Sequence, residues 1–228
     1  MSTLNSPPRI RPPVIQRLRF APSTRPCVHN GRLIVLACSE TKTTAPGRIP
    51  AYERYDGPLW RTLRTIDPEG RKAAVAFLSA RHGFRSASDC SIEAYDARLT
   101  TQLADRLIAG GVTAQWPERK GRRQRMPNGS HPAYEIASMT DYGDRPFGDV
   151  VLVGGHLYVG VMRSFIGGFQ SLGHITKEAR IVEINGSIGV MRKKLRAWLD
   201  EEAACRLGHT EVLEAGGSFV RNDSGPVP

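Results

Sequence analysis

The sequence lacks any apolar run long enough to cross a membrane. Among its 228 residues the longest hydrophobic stretches have the length of a β-strand, as in Leu33–Cys38 and Val150–Val153, whereas a helix needs about 20 apolar residues to span a bilayer. The first residues are rich in proline where a signal peptide would carry an apolar segment. We therefore expect no membrane partner and a cytoplasmic location.

Cysteine and histidine are scarce and dispersed. The four cysteines and six histidines form no CxxC pair and no other spacing typical of a metal site. The glycine-rich signatures of a P-loop and of a dinucleotide-binding turn are also absent. We therefore expect reduced thiols, no bound metal and no bound cofactor.

Acidic residues are missing from the N-terminal region, although the chain holds 22 of them against 32 lysines and arginines, a net charge of +10. Residues 1–31 are rich in proline and contain five arginines, namely Arg9, Arg11, Arg17, Arg19 and Arg25. A second basic group lies among glycines and prolines and consists of Arg119, Lys120, Arg122, Arg123 and Arg125. Such clusters are typical of segments that neutralise phosphates. They favour nucleic acid, DNA before RNA, or a nucleotide as partner, while a basic surface without a partner explains them equally well.

Short apolar runs alternate with amphipathic stretches in the rest of the chain. The runs predict four buried strands, at Leu33–Ala37, Ala73–Leu78, Val150–Val153 and Ile181–Ile184. Apolar residues at helical spacing predict helices over residues 58–66, 99–108 and 156–165, and another that follows residues 185–187 and includes Leu199. This alternation predicts an α/β fold with a mainly parallel, Rossmann-like sheet flanked by helices.

The same patterns predict the organisation of the chain. We expect a basic arm over residues 1–31, a single α/β domain over residues 32–205 and a tail over residues 206–228. Residues 112–147 form a basic insertion in which only Tyr134–Met139 has a helical pattern. Gly83 ends the second strand, and a loop is expected from there to Asp96.

Polar residues follow the predicted strands, at the edge where parallel α/β sheets bind their ligands. Cys38, Ser39 and Lys42 come after the first strand and are suited to a polar or anionic ligand. Cys38 is a nucleophile only if its surroundings lower the thiol pKa. A small buried cysteine at a strand end is the more frequent arrangement.

More side chains with catalytic potential follow the second strand than the first. Ser79, Arg81 and His82 supply hydrogen-bond donors, and Glu93 and Asp96 supply two carboxylates a little further along. His82, Glu93 and Asp96 are the candidate catalytic residues, because a carboxylate or an imidazole can serve as acid, base or nucleophile. An ordinary helix cap, at the start of a helix near Arg98, is an equally good explanation of Asp96.

Glycines mark the end of the third strand. Gly154 and Gly155 precede a helix that carries Tyr158 in its first turn. Such a helix N-terminus can receive a phosphate or a ribose. Simple turn chemistry explains the same glycines.

Three segments of the chain resemble the YaaA-like superfamily of bacterial and phage domains. They are Pro50–Trp60, Phe77–Phe84 and Ile92–Leu99, which are similar to the family's consecutive "Pro-Ala…Tyr-x-Gly", "Leu-Ser-(Ala/Gly)-x-(Tyr/His)-Gly" and "Ile-x-x-Tyr" motifs. The resemblance covers about residues 33–110. The first loop reads Cys-Ser-Glu-Thr-Lys instead of the usual Ser-Pro-Ala-Lys, and is distantly similar to the Cys-Ser…Lys loop of the archaeosine synthases.

The resemblance implies a role close to nucleic acids, because YaaA is associated with DNA binding and peroxide stress and related domains occur near nucleobase-modifying enzymes. The leading hypothesis is a protein that modifies or cleaves nucleic acid or a nucleotide at a nucleobase or N-glycosidic bond. Lys42, Arg81 and Arg98 would hold a phosphate or carbonyl, and Tyr55 and Tyr95 would contact the base. A non-catalytic DNA-binding or DNA-protecting stress protein and a small-molecule nucleotide hydrolase or transferase are the alternatives.

Overall fold

The computed structural model describes residues 31–114 and 131–210, with side chains up to residue 201. The strands are β1 Arg32–Ala37, β2 Ile49–Pro50, β3 Ala74–Ser79, β4 Gly83–Ser86, β5 Ser91–Ile92, β6 Phe147–Val153 and β7 Ile175–Ile184. The α-helices are α1 Ala51–Arg54, α2 Pro58–Ile66, α3 Thr101–Gly110, α4 Pro132–Met139, α5 His156–Ser171 and α6 Ile188–Thr210. Two 3-10 turns lie at Gly111–Thr113 and Asp141–Gly143.

A five-stranded sheet forms the centre of the fold, in the order β4-β3-β1-β6-β7. The strands β3, β1, β6 and β7 are parallel to their neighbours, and β4 pairs antiparallel with β3. In the central register Val35 pairs with Ala76 on one side and with Leu152 on the other. The predicted α/β fold with a mainly parallel sheet is therefore confirmed, and the four predicted strands are neighbours in one sheet.

Helices cover both faces of the sheet, which explains why its central strands contain continuous apolar runs. All six residues of β1 are buried. Leu33 and Val35 belong to the core beneath α3 and α5, whereas Ile34 and Leu36 belong to the core beneath α2 and α6. Alternate side chains of one strand thus supply two separate cores.

The strand order creates a crevice at the carboxyl ends of β1 and β6. After β1 the chain passes to the face covered by α2, and after β6 it passes to the opposite face, covered by α5. Because the two connections diverge here, this edge is the position at which open α/β sheets bind their ligands.

The opposite edge of the sheet is occupied by ion pairs. Asp149 accepts hydrogen bonds from Arg32 at 3.0 Å and from Arg180 at 2.9 Å and 3.0 Å. The guanidinium of Arg32 also lies over the ring of Trp198, 3.7 Å from its centroid. These contacts fasten the starts of β1 and β6 to α6.

The predicted loop from Gly83 to Asp96 is wrong in its first part. Gly83, with a φ of +77°, turns the chain so that Gly83–Ser86 pairs with β3 as the edge strand β4. The ion pair between Arg85 and Glu135, at 3.0 Å, joins β4 to α4. A small two-stranded sheet of β2 and β5 was likewise not predicted.

Several helix boundaries in the structure differ from the predicted ones. Helix α5 continues to Ser171, and α6 continues to Thr210, past the predicted domain end at 205. Helix α3 begins at Thr101, and its N-cap is Thr100, whose hydroxyl accepts a hydrogen bond from the Leu103 N–H at 3.3 Å. The interpretation of Asp96 as the cap of this helix is therefore wrong.

Parts of the predicted arm, insertion and tail lie outside the described residues, namely 1–30, 115–130 and 211–228. Gly31, the last residue of the predicted arm, accepts a hydrogen bond from the Gly148 N–H at 2.8 Å and so contacts the fold. No helix among residues 31–114 and 131–210 combines the length and the apolar character needed to cross a bilayer.

Candidate functional site at the carboxyl edge of the sheet

A chain of hydroxyl groups lies at the end of β3. The Tyr95 hydroxyl lies 2.7 Å from Ser79 Oγ and 2.7 Å from the hydroxyl of Tyr55. Ser79 Oγ also accepts hydrogen bonds from the backbone N–H groups of Arg81 and His82, at 3.0 Å and 3.1 Å. Because those two bonds use its lone pairs, the Ser79 hydroxyl donates to Tyr95, while either hydroxyl can be the donor between Tyr95 and Tyr55.

Cys38 lies beside this chain, at the end of β1. Its Sγ atom is 3.2 Å from the hydroxyl of Tyr158, in the first turn of α5. The thiol also interacts electrostatically with Tyr55 and Tyr95. Burial is the main reason why the pKa of each of these three tyrosines is well above its usual value. All three are therefore protonated hydrogen-bond donors at neutral pH.

His82 packs against Tyr95, with ring centroids 4.9 Å apart and the rings nearly perpendicular. Only 8% of His82 is exposed. Burial, together with the positive charges of Arg81, Arg48, Arg85 and Lys42, lowers its pKa to about 4. The imidazole is therefore neutral at pH 7, and its Nε2 atom has no hydrogen-bond partner in the described part of the chain.

Lys42 reaches the same tyrosine from the loop after β1. Its Nζ atom lies 4.4 Å from the centroid of the Tyr95 ring, a cation–π contact. The Lys42 ammonium also donates to the carbonyl of Glu40 at 3.2 Å, and its backbone pairs with that of Tyr55. We call Cys38, Lys42, Tyr55, Ser79, His82, Tyr95 and Tyr158 the strand-end cluster.

Arg54 fixes the loop that carries Lys42, and sequence reasoning missed it. Its side chain is almost completely buried and donates to the carbonyl groups of Thr43, Ala45 and Gly47 at 2.8, 2.7 and 2.5 Å. A fourth bond, of 3.3 Å, reaches the carbonyl of Ile92. The only available signal was its position inside the segment Pro50–Trp60, since nothing else distinguishes a buried arginine from an exposed one.

The glycines after β6 have two different roles. A Cβ atom on Gly154 would lie 2.7 Å from the Cβ atom of Ala37, so only glycine fits the close approach of the chain to β1. Gly155 is the exposed N-cap of α5 and has open space around it. The free N–H groups of the first turn of α5 thus lie at the same edge as the strand-end cluster.

The remaining predicted residues lie at the rim. Glu93 and Asp96 are both exposed, and in the described chain neither carboxylate bonds to the strand-end cluster. Arg98 forms an exposed ion pair with Glu40. Ser39 is half-buried against Gly57, and Arg81 is exposed next to His82.

The predicted nucleic-acid contacts cannot be placed, because Arg9, Arg11, Arg17, Arg19, Arg119, Lys120, Arg122, Arg123 and Arg125 lie outside the described residues. Within residues 31–114 and 131–201, no three His, Cys, Asp or Glu side chains are grouped closely enough to hold a metal ion. Comparison of the chain with protein-family models, with curated proteins and with solved structures gives no significant match. The YaaA-like resemblance therefore stays a prediction.

Proposed function

We propose that this protein acts on nucleic acid or a nucleotide and modifies or cleaves it at a nucleobase or N-glycosidic bond. The observation that carries the proposal is the contact of Tyr95 with three different kinds of group. Its hydroxyl belongs to the hydroxyl chain, its ring meets the neutral imidazole of His82, and Lys42 lies over the same ring. Hydroxyl donors, a neutral proton acceptor and a cation are what a base, a sugar and a phosphate require.

The proposal assigns different roles to the two sides of the cluster. Lys42 and Arg81 hold the phosphate, and the hydroxyl of Tyr95, which is hydrogen-bonded to the fully buried Tyr55, contacts the base or sugar. His82, neutral at pH 7, moves a proton to or from the leaving base.

The exposed carboxylates complete the assignment. Glu93 and Asp96 flank Tyr95 in the sequence, at the rim of the cluster. In this reaction class a carboxylate stabilises the positive charge that develops on the sugar, or attacks it as a nucleophile. We assign that role to Asp96 or Glu93.

A small-molecule nucleotide hydrolase or transferase is the second candidate. It is favoured by the position of the strand-end cluster, which lies wholly within the α/β fold and needs no residue of the basic arm. A third candidate, a DNA-binding or DNA-protecting protein without catalysis, is favoured only by the clustered arginines of the sequence.

Mass spectrometry of nucleosides tests the proposal. DNA and tRNA are digested from cells that have the protein, that lack it, and that carry His82→Gln in its place. We expect an altered or missing base in nucleic acid from cells with the unchanged protein, and in neither of the other two kinds of cell. Turnover of free nucleotides without any change in nucleic acid would favour the second candidate, and binding without turnover would favour the third.

A further inference from the structure

Three cations lie in the neighbourhood of His82. Arg81 precedes it in the chain, Lys42 contacts the ring of Tyr95 against which His82 packs, and the charge of Arg48 acts on the imidazole. Lys42, Arg48 and Arg81 all lie close enough to lower the pKa of the imidazole. Across residues 31–114 and 131–201, none of the three is joined to a carboxylate by an ion pair. Uncompensated positive charge of this kind favours an anionic ligand.

The neighbouring cations show that the fold supplies carboxylates elsewhere. Arg85 is paired with Glu135 in a buried contact of 3.0 Å, and Arg98 is paired with Glu40 at the surface. Within the described residues the charges of Arg85 and Arg98 are thus compensated by carboxylates, whereas those of Lys42, Arg48 and Arg81 are not. Arg48 is held in place by a hydrogen bond of 2.7 Å from its guanidinium to the carbonyl of Ser91.

The unpartnered imidazole of His82 is a second, independent observation that points to a ligand. His82 is more than nine-tenths buried, and its Nε2 atom has no hydrogen-bond partner among the described residues. Buried polar atoms in folded proteins are nearly always satisfied, so an orphan atom is a sign of a missing ligand, ion or water. In this protein the unpartnered Nε2 atom belongs to a residue with three cations nearby that form no ion pair with a carboxylate in the described residues.

We propose that Lys42, Arg48, Arg81 and His82 form a binding site for the terminal phosphomonoester of a nucleotide. The inference rests on the proposed function and adds the form in which the substrate binds. A phosphomonoester carries up to two negative charges and three terminal oxygens, so it can accept from several donors at once. A phosphodiester inside a polynucleotide carries one charge and two such oxygens, and matches three cations and an imidazole less well.

The location separates the phosphate from the reacting end of the ligand. Lys42 lies over the Tyr95 ring, so a phosphate held by its ammonium leaves the sugar and base next to the hydroxyl of Tyr95. Arg48 and Arg81 are exposed side chains on flexible stems. Their guanidinium groups are therefore open to an anion that approaches His82 from solvent.

Calorimetric titration of the full-length protein with deoxynucleoside 5′-monophosphates tests this site. The matching nucleosides and a dinucleotide whose only phosphate is the internal diester serve as comparison ligands. We expect one-to-one binding of the monophosphate that Arg48→Gln and Arg81→Gln each weaken by about 10-fold to 100-fold, the effect of one charge-assisted hydrogen bond. Arg196→Gln is the matched control, because Arg196 is an exposed arginine of α6.

The resonances of the His82 ring give a readout that needs no variant. Inorganic phosphate should shift the imidazole nitrogen signals in a saturable manner in the unchanged protein. The same titration of Arg81→Gln should need at least about 10-fold more phosphate. Unperturbed His82 signals at saturating monophosphate would overturn the proposal.

The remaining outcomes distinguish this inference from the function on which it rests. Nucleosides that bind as tightly as their monophosphates would overturn the phosphate site and leave the nucleotide-acting function standing. An internal diester that binds equally well, with the same dependence on Arg48 and Arg81, would overturn the preference for a terminal phosphate. Binding of inorganic phosphate at His82 with no binding of any nucleoside, nucleotide or oligonucleotide would support the anion site and overturn the proposed function.

Discussion

The Sγ atom of Cys38 lies 3.2 Å from the hydroxyl of Tyr158, and this contact joins the end of β1 to the first turn of α5 across the crevice. The two connections diverge to opposite faces of the sheet, so the contact forms at the point where the fold opens. It is short only because the chain after β6 passes very close to β1. Gly154 makes that approach possible.

Gly154→Ala should therefore destabilise the fold. Its new methyl group would lie 2.7 Å from the Cβ atom of Ala37, in a buried and rigid part of the sheet. We expect a loss of about 1–3 kcal/mol in the free energy of unfolding, the usual cost of overpacking, measured by urea denaturation. Gly155→Ala is the control, since nothing lies within 4 Å of its added Cβ. Equal losses in the two variants would contradict the steric explanation.

Arg54→Met should lower the free energy of unfolding more than the replacement of a typical, exposed arginine would, because Arg54 is almost completely buried. The substitution keeps the length of the side chain but leaves the carbonyl groups of Thr43, Ala45 and Gly47 without their donor. We expect a loss of about 2–4 kcal/mol, because each hydrogen bond of the guanidinium that is lost contributes on the order of 1 kcal/mol. Thermal and urea denaturation measure the loss.

Arg61→Met is the control for Arg54→Met. Arg61 is largely exposed and pairs with Asp56 at 2.7 Å. Exposed ion pairs of this kind contribute about 0–1 kcal/mol. A loss no larger for Arg54→Met than for Arg61→Met would show that the buried guanidinium does not hold the loop.

The central sheet could be predicted because its strands carry their own signal. β1, β3 and the second half of β6, Val150–Val153, are buried on both faces, so each contains a continuous apolar run that ends where the fold needs polar residues. β4 has no such signal, because Gly83–Ser86 contains a single large apolar residue, Phe84. Its place depends on the pairing of Arg85 with Glu135, which comes from a distant part of the chain.

The candidate site was predictable only in part. The rule that ligands bind at the carboxyl edge identified Cys38, Ser79, His82 and Tyr158, because it depends only on strand direction. It did not identify Arg54, since burial of an arginine depends on carbonyl groups that local sequence does not place. It also did not separate the inward-facing Tyr95 from its exposed neighbours, because residues 93–100 have no regular secondary structure.

His82 should make the protein less stable in mild acid. Burial, with the charges of Arg81, Arg48, Arg85 and Lys42, lowers the pKa of the folded imidazole to about 4, against about 6.5 in an unfolded chain. Between these values the unfolded state takes up a proton that the folded state does not. The free energy of unfolding should therefore fall as the pH drops from 6.5 to 4, by on the order of 3 kcal/mol at most, and be independent of this group above pH 6.5.

His82→Gln should remove that part of the pH dependence. Burial also lowers the pKa of His174, so His174→Gln should remove only the smaller share due to His174. Urea denaturation of both variants and of the unchanged protein, from pH 7 to pH 4.5, measures the slopes. An unchanged slope in His82→Gln would mean that the imidazole is already accessible to protons in the folded protein.

The N-terminal arginines should contribute to nucleic-acid binding through salt-dependent phosphate contacts. Replacing Arg9, Arg11, Arg17, Arg19 and Arg25 by glutamine removes five positive charges. For duplex DNA, each neutralised phosphate contributes about −0.9 to the slope of log affinity against log salt concentration, so we expect a reduction of up to about 4.5. Filter binding over a range of salt concentrations measures the slope. An unchanged slope would show that these arginines do not contact phosphates.

Substitution of Asp96 tests whether its carboxylate has a catalytic role. If its carboxylate stabilises charge on the sugar or moves a proton, it acts mainly in the transition state, so Asp96→Asn should reduce turnover by at least about 100-fold with little loss of affinity. Lys42→Ala should instead weaken binding as well, because a phosphate contact exists before the chemical step. Single-turnover rates and ligand titrations of the two variants distinguish these effects.

The structure also provides the stability control for Asp96. Since Thr100 caps α3, Thr100→Ala should cost about 1 kcal/mol of stability, whereas Asp96→Asn, at an exposed position outside the helix, should leave the melting temperature unchanged. A loss of activity in Asp96→Asn at full stability would therefore come from the missing charge and not from a weakened fold. Full activity in Asp96→Asn would remove this carboxylate from the mechanism and leave Glu93 as the remaining candidate for its role.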